Sequence, residues 1–107
     1  MKKYFHFIGI GGIGMSGIAQ LLLKSGFRVS GSDLKENLIT KQLKNLGAKI
    51  FLGHQPENLS DQDVVVYSSA ITENNPEVRQ AKILGIPLIR RAQALARSEE
   101  RRVGKEC

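Results

Sequence analysis

Ile8-Gly9-Ile10-Gly11-Gly12-Ile13-Gly14-Met15-Ser16-Gly17 is the stretch on which the reading of this chain turns. The apolar run before it, Tyr4 to Ile8, reads as a buried strand. The apolar-periodic run after it, Ile18-Ala19 and Leu21-Leu22-Leu23, reads as a helix. Gly9, Gly11 and Gly14 therefore fit the G-x-G-x-x-G spacing in the strand-turn-helix context that the motif requires. Gly9 permits a tight turn out of the strand, Gly11 leaves room for a phosphate to approach the backbone, and Gly14 lets the helix pack close to the strand. Unpaired N–H groups at the helix start, together with the helix dipole, favour an anion there. Asp33 ends the next strand at the distance expected of a ribose-binding carboxylate.

Outward from this loop one pattern repeats. Strands are expected at about 4–10, 27–31 (ending at Ser32-Asp33), 49–52, 64–67 and 86–89. Helices are expected at about 12–25, 38–46 and from Asn75-Pro76-Glu77 to Gly85, with a single helical turn near Pro56–Leu59. Asn37 and Asn75 have the side chain to cap a helix start, Pro76 suits a first turn, and Glu77 complements the dipole. Lys24-Ser25-Gly26, Lys44-Asn45-Leu46-Gly47 and Lys82-Ile83-Leu84-Gly85 each place a lysine in a last turn and a glycine after it, and each is followed at once by a short β run. Helix, turn and strand repeated in this way build parallel strands with right-handed crossovers. The fold class is therefore α/β: a Rossmann-like open parallel sheet of about five strands, order 3-2-1-4-5, with helices on both faces.

Composition narrows the function classes. The 107 residues suffice for one domain. The net charge of +6 is spread along the chain, with no basic run interleaved with aromatics, so nucleic acid is not an expected partner. No apolar run approaches the roughly 20 residues of a membrane span, and Met1-Lys2-Lys3 leads straight into the first strand without a signal-peptide pattern, so the expected location is cytoplasmic. The single cysteine, Cys107, rules out a disulfide framework and a Cys/His metal spacing within the sequence.

In an open α/β sheet the ligand lies outside the carboxyl ends of the strands at the switch point. That rule nominates Gly11, Gly12, Ile13, Gly14, Met15 and Ser16 after the first strand, Ser32 and Asp33 after the second, His54 after the third, and Ser68, Ser69 and Ala70 after the fourth. Ser68 and Ser69 are either turn formers or hydroxyl donors to a ligand, and His54 is either a ligand contact or a solvated loop residue. His6, inside the first strand, reads as a packed side chain. No catalytic constellation, metal-ligand set or G-x-x-x-x-G-K-[ST] loop occurs in the sequence.

Phe7 through Ala19, with Gly31-Ser32-Asp33, Gly53-His54, Ser68-Ser69-Ala70-Ile71, Asn75-Pro76-Glu77 and Ile89-Arg90-Arg91-Ala92, resembles the opening of the Mur ligase family, in particular its alanine-adding members. The resemblance runs from about residue 4 to residue 96. It implies that the nominated residues hold the UDP part of UDP-N-acetylmuramate rather than a nicotinamide cofactor. It also implies an ATP-dependent joining of L-alanine to the lactyl carboxylate through an acyl phosphate, in the synthesis of peptidoglycan. The family continues into a central domain that binds ATP and Mg²⁺ and then a carboxy-terminal domain, so residues 1–96 are expected to be a substrate-binding domain without catalytic residues or a cofactor of its own, inactive alone. Arg97-Ser98-Glu99-Glu100-Arg101-Arg102-Val103-Gly104-Lys105-Glu106-Cys107, with seven charged residues, is read as a non-native tail resembling a translated sequencing adapter. A glycine loop followed by an acid also fits an NAD(P)-binding domain of an oxidoreductase, and within the same family the related ligase that recycles a murein tripeptide onto UDP-N-acetylmuramate is an alternative.

Overall fold

The computed structural model describes residues 3–91, Gln93 and Ala94. The proposed tail, 97–107, lies outside them. Strands β1 (Tyr4–Ile8), β2 (Arg28–Asp33), β3 (Lys49–Leu52), β4 (Val64–Tyr67) and β5 (Leu88–Arg90) alternate with helices α1 (Ile13–Lys24), α2 (Leu38–Asn45) and α3 (Pro76–Leu84), and a 3₁₀ turn at Pro56–Asn58 joins β3 to β4. All neighbouring strands are parallel, in the order β3-β2-β1-β4-β5. This is the Rossmann-like order expected from the sequence.

The boundaries differ from expectation where backbone groups are claimed by caps. β1 stops at Ile8, two residues early, because Gly9 turns at φ +80°. β5 starts late because the Ile86 N–H closes the end of α3 on Ala81 O and Pro87 has no N–H to give. Gly85 holds the left-handed cap at φ +74°.

Side chains alternate across the sheet, so each strand serves two different interiors. Phe5 and Phe7 of β1, Val29 of β2 and Val64 and Val66 of β4 face α1 and α2, where Met15, Ala19, Leu22 and Leu43 complete an aliphatic core. Phe5 meets Phe27 edge-to-face at 5.4 Å. Each buried phenylalanine contributes about 1.5–3 kcal/mol. On the opposite face, Ile8, Val65, Leu59, Val78 and Ala81 form a smaller core under α3. That face also carries His6, Ser30 and Ser32, all fully buried, in register across β1 and β2. A hydrophobic interior on one side and a polar one on the other is the asymmetry from which the site is built.

Candidate functional site

The glycine loop is held by Ser32. Its carbonyl accepts the N–H of Gly9 at 2.8 Å and of Ile10 at 3.0 Å, so the chain folds back over the end of β2 as soon as β1 ends. The Ile10 side chain lies over Gly31, filling the position that a Cβ there would need. The loop is thereby fixed by hydrogen bonds and by a buried apolar plug.

Each N–H in the loop has an identifiable fate. Gly11 N–H donates to Asp33 Oδ2 at 2.8 Å, Gly12 N–H to Gly9 O at 3.0 Å, and the N–H groups of Met15 and Ser16 both go to Gly12 O. Gly14 N–H donates to no protein acceptor among the described residues, as the first turn of a helix requires. α1 has no side-chain cap and no acid in its first turn. The other two helices are capped, α2 by a capping box of Asn37 and Thr40 and α3 by Asn75. The guanidinium of Arg91 lies beside Gly14, where a Cβ on that glycine would be. The missing side chain of Gly14 thus makes room for an arginine, a role its place in the motif did not suggest. The free Gly14 N–H, a positive dipole end and a guanidinium then converge at the start of α1, an arrangement suited to a phosphate or another anion.

The remaining nominated residues divide. Gly12 is exposed at the loop. Met15 faces the aliphatic core, 3% exposed, so its side chain is structural. Asp33 bonds Gly11 and also accepts the Leu34 N–H through Oδ1 at 2.8 Å. Ser68 accepts the Ala70 N–H at 3.4 Å in a turn, with Ser69 and Ala70 exposed. Ile71, at the end of that turn, approaches Gly9, which brings the exits of β1 and β4 together. Ser32 and His54 belong to a different arrangement. The Ser32 hydroxyl is fully buried and meets His54 Nδ1 at 2.7 Å and Glu77 Oε1 at 2.8 Å.

Glu77 is the residue that sequence reasoning undervalued. It opens α3, and its carboxylate turns under the sheet, fully buried. Oε1 accepts from His6 Nε2 at 2.6 Å and from Ser32; Oε2 accepts from Asn58 Nδ2 at 2.8 Å and from the Gln55 N–H at 3.1 Å. His6 Nδ1 meets Ser30 Oγ at 2.7 Å, and Gln62 Nε2 donates to both Ser30 Oγ and Asn58 O. Burial alone would raise the Glu77 pKa, but the hydrogen bond and charge of His6, with the bonds from Asn58 and Ser32, outweigh it and hold the carboxyl below its ordinary value. The packed His6 expected from sequence is thus packed against a carboxylate. The signal available was the spacing of two that puts Ser30 and Ser32 on one face beside His6; nothing local pointed to Glu77.

Residues 4–101 match the family model described as Mur ligase family, catalytic domain. UDP-N-acetylmuramate--L-alanine ligase of Aquifex aeolicus (strain VF5) is 64% identical over 94 residues, which are 88% of this chain and 21% of the relative. The chain thus spans about a fifth of the length of the curated relatives it matches. Among solved structures, UDP-N-acetylmuramate-alanine ligase from Thermotoga maritima superposes with a TM-score of 0.84 at 36% identity, over 92% of this chain and 23% of that one. UDP-N-acetylmuramate:L-alanyl-gamma-D-glutamyl-meso-diaminopimelate ligase from Neisseria meningitides superposes with a TM-score of 0.83 at 33% identity, over 91% of this chain and 31% of that one.

Proposed function

Because the chain belongs to the Mur ligase family, we propose that its Rossmann-like unit holds the UDP part of UDP-N-acetylmuramate in a cytoplasmic ligase that joins L-alanine to that substrate. The observation that carries this reading is the start of α1: a helix without a side-chain cap, with the Gly14 N–H open among the described residues and Arg91 beside it. These groups bind and orient the pyrophosphate. In this reading Asp33, at the end of β2, contacts the nucleoside, and His54, Ser68, Ser69 and Ala70 supply the rim. The 64% identity with the alanine-adding ligase of Aquifex aeolicus supports alanine, rather than a murein tripeptide, as the group joined.

ATP and Mg²⁺ are assigned to another part of the parent protein, since no phosphate-loop pattern occurs in these 107 residues. The chain's own residues provide binding and orientation, not chemistry. Isothermal titration tests the reading directly. UDP-N-acetylmuramate and UDP are expected to bind, and NADH and NADPH to give no heat beyond dilution. Binding of NADH with none of UDP would overturn it.

A further inference from the structure

Hydrogen-bond accounting fixes more than the position of His54. Ionised Glu77 can only accept, so the Ser32 hydroxyl must spend its one proton on Oε1; otherwise two oxygens 2.8 Å apart would face each other with lone pairs alone. Ser32 Oγ then has only lone pairs left for His54 Nδ1 at 2.7 Å. The hydrogen in that contact must come from the imidazole. A second path to the same answer is Glu77 Oε2, which stands 3.7 Å from Nδ1 and also favours a hydrogen on that nitrogen. No buried side-chain nitrogen or oxygen among the described residues lacks a partner, and Nε2 has none among those residues, so Nε2 is not buried and reaches the carboxyl edge of the sheet.

We propose that Glu77, acting through the Ser32 hydroxyl, is a positioning residue that locks His54 in its Nδ1–H tautomer and so presents the bare Nε2 lone pair to the ligand. Neutral histidine in water prefers the opposite tautomer, with the hydrogen on Nε2. The lock therefore inverts what the rim offers. A bare Nε2 accepts from a hydroxyl or an amide N–H and repels the acceptor-only oxygens of a phosphate. His54 is thereby assigned to a donor group on the sugar or base side of a nucleotide sugar, while the start of α1 takes the charge. This assignment of the partner rests on the UDP-substrate reading; the tautomer does not.

The test is a long-range ¹H–¹⁵N correlation spectrum of the full 107-residue chain near pH 8. The chain has two histidines, and a His54→Gln variant identifies their signals. The expected pattern for His54 is a protonated Nδ1 and an unprotonated Nε2. In Ser32→Ala the ratio of Nδ1–H to Nε2–H should fall by up to about tenfold, the worth of one hydrogen bond. A role in packing alone would leave that ratio unchanged. An Nε2–H pattern in the parent chain, or a Ser32→Ala chain with the parent's ratio, would overturn the proposal. The parent spectrum decides the tautomer even if Ser32→Ala does not fold. Titration of UDP-N-acetylmuramate into the same sample keeps the two readings separate: no binding defeats the functional reading and leaves the tautomer result standing.

Discussion

The Asp33 carboxylate is bonded to the glycine loop: its Oδ2 accepts the Gly11 N–H at 2.8 Å, and a Cβ on Gly11 would stand 2.7 Å from that same oxygen. The two residues at the centre of the nucleotide fingerprint are therefore mechanically coupled. Gly11→Val is expected to remove UDP binding, and Asp33→Ala to weaken it by about 1.5–3 kcal/mol if one charge-assisted bond is lost. Since Gly11→Val leaves no binding to titrate, the coupling is read in stability: in urea unfolding the double variant should lose less than the sum of the single variants, with a coupling of about 0.5–3 kcal/mol, the range for residues in direct contact. Urea unfolding of the three variants measures it, and titration calorimetry, with circular dichroism as folding control, checks UDP binding. Strict additivity would show that the contact does not hold the loop.

Glu77→Gln places an amide among partners that all donate: His6 Nε2, Ser32 Oγ, Asn58 Nδ2 and the Gln55 N–H. One donor is left facing another, at a cost of about 1–3 kcal/mol at pH 7. The pH dependence has a definite sign. The Glu77 pKa is lower folded than its ordinary 4.5, so its stabilisation is fully present above about pH 4.5 and is lost as the pH falls through the lower folded value. Urea unfolding of parent and variant across pH 3–7 should show two curves that converge only at the acid end. A gap that stays constant with pH would contradict this.

Gly14→Ala separates two explanations of that glycine. The atoms nearest a Cβ there are the guanidinium and Cδ of Arg91, an exposed and flexible side chain that can swing away. Alanine also gains about 0.5–1 kcal/mol over glycine in a helix. The variant is expected to be neutral or slightly more stable in urea. A loss above about 2 kcal/mol, the scale of overpacking in a core, would mean that the helix start lies against something that cannot move.

ATP turnover by this chain is expected to stay at background. The parent's phosphate-loop chemistry is assigned elsewhere, and the described residues hold no group of three or more His, Cys, Asp or Glu side chains that could bind a metal ion. A coupled assay on chromatographically clean protein checks it; turnover that co-purifies with the chain through two columns would contradict it.

Much of this fold was legible because its signals are local. Gly26, Gly47 and Gly85 all take positive φ at helix ends, and each is followed by the strand that its position implies. Gly9 turns as its place in the motif demands. Asp33 likewise stands at the end of β2, within reach of the loop. What stayed hidden depends on partners distant in sequence. The cation beside Gly14 comes from Arg91, and the polar face owes its ionic centre to Glu77, whose neighbours Pro76 and Val78 show only an ordinary helix start. Met15 was nominated for its position after β1, but helical periodicity turns its side chain into the core. A one-dimensional reading finds where the backbone turns; it does not find which buried polar groups will meet.

The separation of His6 from Glu77 also sets an order of events during synthesis. They lie 71 residues apart. At 5–20 residues per second, His6 is joined to the growing chain about 4–14 s before its carboxylate partner is. During that interval Ser30 can satisfy one ring nitrogen of His6, but the other has only water. The face of the sheet toward α1 and α2 draws most of its apolar groups from residues already made by the end of β3, so it is able to dry early. The face toward α3 must stay wet until Glu77 arrives. The apolar face of the central strand can therefore be covered largely by residues made before the end of β3, whereas its polar face cannot be completed until residue 77 has been made.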